Sequence, residues 1–449
     1  MRSAGRTLLG ATLAFGAALA TRASAQTALP DSALMHFMGS YADSSDRYFG
    51  LSAAPADTAG LDSTLSYYLG NPEAITRMRR GPSRFSLPSP DYRFNRVDGN
   101  YWGARADLGN SRTWGRIEGG AGYAAGQKEW LGSAHLIERR DTNAGLWSLD
   151  GGWDKSTDRM DPNHRLLSIY WVRALLNGSD RLHYLRREGA SVSLRHDTRR
   201  TTLIVGYRDQ RERPLQVTAL WNLFGSTPAV SDNLQARKGH VRAYSVAAGA
   251  GVGPWPIELW VENQTSARGM GSDFDYRRWL AAAGTIWPVV PWASLALQGN
   301  YGTLREDVVP QAAFMFGGSH SLRSIPGFSM SGTRTALARA EVIFAPDLLQ
   351  VTHLPHPSFL NLEASVTGAV GSAWGIQPFT GANLGGDTWP ERASWLSEAG
   401  AALLYRPGIP DPWGFIRLDW AWPVGNNHGP VRTTFSYVQT LHLLPSIGR

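Results

Sequence analysis

The chain has 449 residues, no cysteine and a formal net charge of +7. Without thiols it is no disulfide scaffold and holds neither thiolate metal sites nor a Cys nucleophile. The basic excess falls to +4 once Arg2, Arg6 and Arg22 are set aside with the first 25 residues, too little to argue for a nucleic-acid partner.

Residues 1–25 read as a secretory signal. Arg2 and Arg6 form a positive start, residues 8–20 a short apolar core, and Ala23-Ser24-Ala25 a small-residue cleavage site before Gln26. The core is too short to span a bilayer as a helix, and no later run is long enough. An exported chain of this size is either soluble or an outer-membrane barrel. The 18 Trp, 15 Tyr and 49 Gly favour the barrel. Barrels need aromatic girdles and tight turns, while only every second strand residue must be apolar.

Residues 26–91 differ from the rest. They are rich in Ala, Ser, Asp and Pro and show little alternation. A short helix is predicted over 31–41, capped by Asp31 or Ser32. Gly81-Pro82 and Leu87-Pro88-Ser89-Pro90 read as linker. The segment is a leader, a plug or a periplasmic linker.

From Tyr92 onward, strand-like segments recur between turn residues. They cover 99–109, 114–125, 128–139, 145–154, 189–199, 201–210, 239–252, 256–266, 274–287 and 293–303. After a long break come 333–344, 358–372, 395–406, 413–423 and 431–443. Several alternate clearly. Leu360, Leu362, Ala364 and Val366 oppose Asn361, Glu363, Ser365 and Thr367. Ile416, Leu418, Trp420 and Trp422 oppose Arg417 and Asp419. Ala336, Ala338, Ala340, Val342 and Phe344 oppose Arg339 and Glu341. The segment length and the Trp and Tyr near strand ends predict an all-β fold, a transmembrane antiparallel barrel of about 16 strands over residues 92–449. Such barrels have even strand numbers with both ends periplasmic. Ten strands before the break violate that parity, so one is missing, and the sparse region 155–236 is the expected place. Four connections exceed plain hairpins: 155–188, with 163–176 as a helix or extra strand, 211–238 with Trp221 and Phe224, 304–332, and 373–394. These should be extracellular, since periplasmic turns are short. Trp287-Pro-Val-Val-Pro-Trp292 reads as a periplasmic turn between girdle residues, and the other strand-end Trp as interface anchors.

Three motifs resemble the BamA/TamA-like outer-membrane superfamily, the bacterial surface antigen barrel. Arg93-Phe94-Asn95-Arg96-Val97-Asp98-Gly99, followed by Gly103, resembles the run that precedes its first strand. Gly317-Gly318-x-x-Ser321-Leu322-Arg323, followed by Gly327-Phe328, resembles its inward-folded hook. Phe415-Ile416-Arg417-Leu418-Asp419-Trp420-Ala421-Trp422-Pro423 resembles its penultimate strand. The resemblance covers residues 92–443. It implies that the loop 304–332 folds into the lumen and that Arg323 pairs with carboxylates of the strands that follow. Candidates are Glu341, Glu363, Glu398 and Asp419, with Arg339 and Arg417 interleaved; a buried guanidinium demands such partners. There are departures. Ser324 and Ile325 stand where the family has Gly and an aromatic, and the last residues are Ile447-Gly448-Arg449 rather than a terminal aromatic. The residues before Tyr92 lack the βααββ pattern, so no periplasmic POTRA domain is expected there.

No catalytic constellation emerges, and the expectation is a non-enzyme without cofactor or metal. Gly327-Phe-Ser329-Met-Ser331-Gly332 does not match a nucleophile elbow, and there is no His-Glu-x-x-His, Walker or dinucleotide motif. His353-x-x-His356 lacks a third ligand. Asp43 and Asp46 beside Arg47 read as a solvated leader. His320-Ser321 has no Asn partner at a recognisable spacing. Three functions compete: assisting outer-membrane protein assembly or translocation through a weak seam between first and last strands, a passive or gated pore, and an outer-membrane enzyme or adhesin. Gly99, Gly103 and Gly109 in the expected first strand, and Gly425 and Gly429-Pro430 before the last, favour a weak seam. The expected surroundings are outer-membrane lipid and lipopolysaccharide, with nascent outer-membrane proteins or a periplasmic protein as partners. Deleting residues 27–88 should leave a barrel that reaches the outer membrane and shows the heat-modifiable gel shift; loss of the folded band would make this segment structural.

Overall fold

The computed structural model describes residues 84–85, 88–110, 115–160, 174–175, 180, 182–198, 200–223, 232–252, 257–290, 292–318, 321–327, 329–344, 348–353, 362–385, 389–405 and 414–439. The signal, the predicted helix at 31–41 and most of 163–176 lie outside these.

Among the described residues sixteen strands of seven residues or more follow one another as an antiparallel meander, and Arg84–Phe85 extends the first pairing against Gly109 and Leu108. The first eight are β1 (Ser89–Asn95), β2 (Gly99–Asn110), β3 (Gly115–Ala124), β4 (Glu129–Thr142), β5 (Gly145–Arg159), β6 (Tyr184–Asp197), β7 (Thr201–Pro214) and β8 (Gly239–Val252). Then come β9 (Ile257–Ser266), β10 (Tyr276–Val290), β11 (Ala293–Glu306), β12 (Arg334–Phe344), β13 (Leu362–Trp374), β14 (Leu396–Tyr405), β15 (Gly414–Val424) and β16 (Arg432–Gln439). Registered antiparallel ladders join each strand to the next from β1 to β16 and form the wall of a β-barrel.

Eleven strands precede the break, so parity is restored. The added strand is Ser89–Asn95, not one in 155–236. Its Pro88-Ser89-Pro90 start mimics a linker, yet a proline is tolerated on a strand at a seam, where a missing N–H costs least. Pro90 pairs with Ala104 within an unbroken ladder to β2. The gap at 155–188 shrinks for another reason: β5 runs on to Arg159 and β6 begins at Tyr184. The expected first strand, with Gly99, Gly103 and Gly109, is therefore the second. The four long connections, 160–183, 215–238, 307–333 and 375–395, all fall at one end of the barrel, and the connections at the other end are shorter.

Alternation sorts inside from outside. In β13, Glu363, Ser365, Thr367 and Ala369 are buried while Val366 is 47% exposed. In β15, Arg417 and Asp419 are buried and Trp422 is exposed. The outer face carries Trp102, Trp130, Leu136, Trp153, Val192 and Val246 bare to the surroundings. A large apolar exterior around a charged interior reverses the plan of a soluble sandwich and suits a bilayer, where a barrel satisfies every backbone group internally. Tyr92, Trp102, Tyr123 and Trp130 form one row across β1–β4 on that outer face. Trp287 and Trp292, both exposed, flank the turn at the opposite end, as the sequence predicted.

Candidate functional site

The connection 307–333 turns back against the inner walls. Phe314 joins Val241, Tyr276 and Leu304 in one buried cluster. Met315 joins Met160, Leu185 and Ala236 in another, which ties this loop to strands on the opposite side of the barrel. A short hairpin, Phe314–Phe316 with Met330–Gly332, stiffens the loop. Between its arms lies the hook.

Gly317 and Gly318 make the hook possible. Both have positive φ, +115° and +89°. A Cβ on Gly317 would sit 2.1 Å from the Pro326 carbonyl oxygen, and one on Gly318 would sit 3.0 Å from Gly327 Cα. Only glycine combines that backbone with that approach. Gly318 N–H donates to the Leu322 carbonyl at 2.9 Å, and Gly317 N–H to Ser321 Oγ at 2.5 Å. Leu322 is fully buried against Phe316, Leu337, Ala369 and Ala373. Gly327 closes the turn, but a Cβ there would meet nothing. Phe328 and His320 lie outside the described residues.

Leu322 delivers the next residue, Arg323, into a lattice of charges on β12–β15. Its Nη1 lies 2.9 Å from Asp419 Oδ1 and its Nη2 lies 3.8 Å from Glu341 Oε2. Arg417 reaches the same two acids, with Nη2 2.6 Å from Glu341 and Nε 2.8 Å from Asp419. Ser365 donates to Glu341 at 2.5 Å. Arg339 donates to the Ser321 carbonyl and so clamps the hook's backbone. Glu398 is reached by another route: it accepts the Ser324 N–H at 2.7 Å. Ser324 Oγ in turn accepts from Asn427 at 2.8 Å. The departure from Gly at Ser324 thus adds a side-chain contact to the turn before β16. Arg323, Glu341, Glu398, Arg417 and Asp419 are each at most 5% exposed. Glu363 is the exception in position. It is buried on the same face of β13, but four residues from Thr367, the register partner of Glu341, towards the short-turn end.

Sequence reasoning missed a second cluster at the rim. The Asn95-Arg96-Val97-Asp98-Gly99 run is the β1–β2 turn, and both its charges are buried. Asp180 accepts the Arg96 N–H and the Leu182 N–H, each at 3.1 Å, as well as the Tyr184 hydroxyl. His183 Nδ1 accepts from Arg96 Nη2 and from Leu234 N–H, both at 3.1 Å. Burial, aided by the adjacent guanidinium, pushes this imidazole down to about 4, and burial pushes the Asp180 carboxyl up. Asp98 meets Arg186 at 3.3 Å, and Arg186 also meets Glu129 at 3.2 Å. The resemblance had flagged the Arg96–Gly99 run; nothing in the sequence links it to residues 180–186.

Among the described residues no cluster of three or more His, Asp or Glu is arranged to hold a metal ion. His353 is exposed and His356 lies outside the described residues.

No family model matches the chain, and no curated protein matches it. Among solved structures it is similar to the crystal structure of BamA from Haemophilus ducreyi lacking POTRA domains 1-3, at 13% identity and a TM-score of 0.49, covering 82% of this chain and 79% of that one. It is similar to CdiB from Escherichia coli at 14% identity and a TM-score of 0.45, covering 81% and 68%. For CdiB from Acinetobacter baumannii the identity is 11% and the TM-score 0.41, covering 79% and 59%. The chain's own strand order, apolar exterior and charged interior define it as a sixteen-stranded β-barrel of the outer-membrane type with an inward-folded hook.

Arg323→Ala should remove about 3–5 kcal/mol, the cost of stranding buried partners of an ion pair. The temperature at which the folded gel band converts should drop, and Arg323→Lys should recover only part of it; an unchanged conversion temperature would show that the hook is not pinned by charge. A pH effect is expected at the rim. His183 titrates near 6.5 when unfolded and near 4 when folded, so the unfolded state binds the extra proton between these values. The stabilisation is complete above about pH 6.5 and is lost as pH falls towards 4. Limited proteolysis should cut near residues 180–183 faster at pH 4.5 than at pH 7, and His183→Gln should flatten that dependence.

Proposed function

We propose that this barrel assists the insertion or translocation of other outer-membrane proteins by lending the edge of its seam. The observation that carries the reading is a proline, Pro90, on the strand at the seam. Pro90 stands opposite Ala104 and has no N–H to offer a neighbour on either side, while Arg84–Phe85 carries the same pairing on to Gly109 and Leu108 of β2. The missing donor at Pro90 lowers the cost of parting this junction, and a parted edge presents backbone groups for an incoming strand. The charge lattice supports the same reading, since it holds β12–β15 and the hook together and leaves β1 and β16 as the place of give. Partners on this reading are unfolded outer-membrane polypeptides, possible only with export of the chain to the outer membrane, its lipid and its lipopolysaccharide. Glycines do not mark the edge strand itself, because Gly99, Gly103 and Gly109 lie in β2.

A gated pore is the second reading. On the inner faces of β2–β5, Arg105, Arg116, Asp150 and Asp154 keep side-chain exposures of 59, 42, 30 and 25%. The lumen beside β2–β5 is therefore reached by water, while the hook occupies the side of β12–β15. We read the chain as non-enzymatic. In support, Ser321 Oγ braces the hook by accepting the Gly317 N–H, a structural use for the hydroxyl that a lipase-like pair would need.

The test reconstitutes the mature protein in liposomes, adds an unfolded small barrel and follows its folding by gel mobility. Acceleration over empty liposomes is the expected result, and Arg323→Ala should reduce it. No acceleration by protein that itself shows the folded shift would refute assistance, and ion conductance across the same membranes would then decide for the pore.

A further inference from the structure

After β7, Gln216 and Val217 border a cavity at the barrel mouth with Pro310 and Phe379. The segment runs back along the rim from β7 to β1. Leu215 packs with Tyr184 and Val97. Gln127 in the β3–β4 turn donates to both the Val97 and Gln216 carbonyls, at 2.8 and 2.9 Å. Thr218 and Ala219 N–H both donate to the Arg96 carbonyl, at 2.9 and 3.0 Å. Ala219 is then buried against Phe94, and Trp221 meets Phe94 edge-on with ring centroids 5.0 Å apart.

Strand alternation tells which side of the wall this strap follows. Tyr184 shares its face of β6 with Val192 and Leu194, which are bare on the outside of the barrel; the β5–β6 ladder is unbroken between them. Phe94 shares its face of β1 with Tyr92, which stands opposite the outward Trp102. The strap therefore crosses from the mouth to the outside, and its end reaches the outer surface of the first strand. There it bares three large apolar side chains: Leu220 at 67%, Trp221 at 46% and Leu223 at 61%. Phe94 is two residues along β1 from Tyr92, so the strap's end stands within about 7 Å of the aromatic row Tyr92–Trp102–Tyr123–Trp130 at a rise of ~3.3 Å per residue. Such rows mark the level of the membrane interface.

We infer that Leu220, Trp221 and Leu223 form a wedge that enters the outer leaflet beside β1, with lipid acyl chains as its occupant. The inference rests on the barrel reading but not on the assembly role. Continuity argues for lipid: the exposed trio extends the apolar exterior at the height where that exterior meets the headgroups. A bare Leu-Trp-Leu group in water would be a costly patch, whereas at the interface Trp keeps its ring N–H near headgroups and the leucines enter the acyl region.

The absence of cysteine makes the test direct, since any introduced thiol is unique. Leu220→Cys and, separately, Leu223→Cys would be labelled with a bimane fluorophore in the full mature chain. The labelled protein would be reconstituted into phosphatidylcholine vesicles brominated near the headgroup end of the acyl chain. Leu136→Cys on the outer belt and Arg105→Cys in the wet lumen serve as lipid and water references, and the gel shift confirms folding of each. Quenching at 220 or 223 close to that at 136 and well above that at 105 is expected. Quenching no greater than at 105, with the label reached by a water-soluble quencher, would overturn the wedge while leaving the barrel intact. If 136 were also unquenched, the barrel reading would fall and the wedge with it.

Discussion

A guanidinium keeps its charge even when shut away from water, so burying it without partners is costly, and the inner architecture of this barrel follows from that constraint at Arg323. Two carboxylates, Glu341 on β12 and Asp419 on β15, meet Arg323 and Arg417 together. Two cations and two anions in one dry patch neutralise one another, while removing any one leaves a net buried charge. The hook is held because its arginine has nowhere better to go. In return it supplies the apolar cover, through Leu322 and Phe316, that keeps the patch dry.

This arrangement makes the barrel uneven around its circumference. From β12 to β15 the wall, hook and charges form one packed body. Around β2–β5 the inward charges keep partial contact with water. At the rim, the turn 96–98 and residues 180–186 share buried charges, and the strap ties them to the first strand. Among the described residues β16 and β1 bear none of the hook's ion pairs; their hold on the body is indirect, through Ser324 and Asn427 before β16 and through the strap over β1. Firm flanks around a junction outside the charge lattice are what a seam needs if it is to part without unravelling the rest.

Much of this was legible in the residues. Period-two alternation is a local property, so fifteen strands could be read directly, as could the inward face of Arg339, Glu341, Arg417 and Asp419. The hook's two glycines announced a left-handed turn. What misled was equally local. Pro88 and Pro90 spell linker in any window that ignores the neighbouring strand, and so the first strand was overlooked and the glycine-bearing second strand took its place. The role of Ser324 was hidden because its partner Glu398 lies 74 residues away, and that of His183 because Arg96 lies 87 residues away.

By itself the sequence determined the class: an all-β chain with one apolar and one charged face per strand, broken by a Gly-Gly hook, because alternation and turn chemistry act between near neighbours. Only the tertiary structure decided which acids meet Arg323, that Glu363 stands apart from them, and that Leu220, Trp221 and Leu223 are carried to the outside of the wall. Those outcomes depend on strand register and on the path of loops between distant strands, and both are set by closure of the barrel rather than by any residue's own preference.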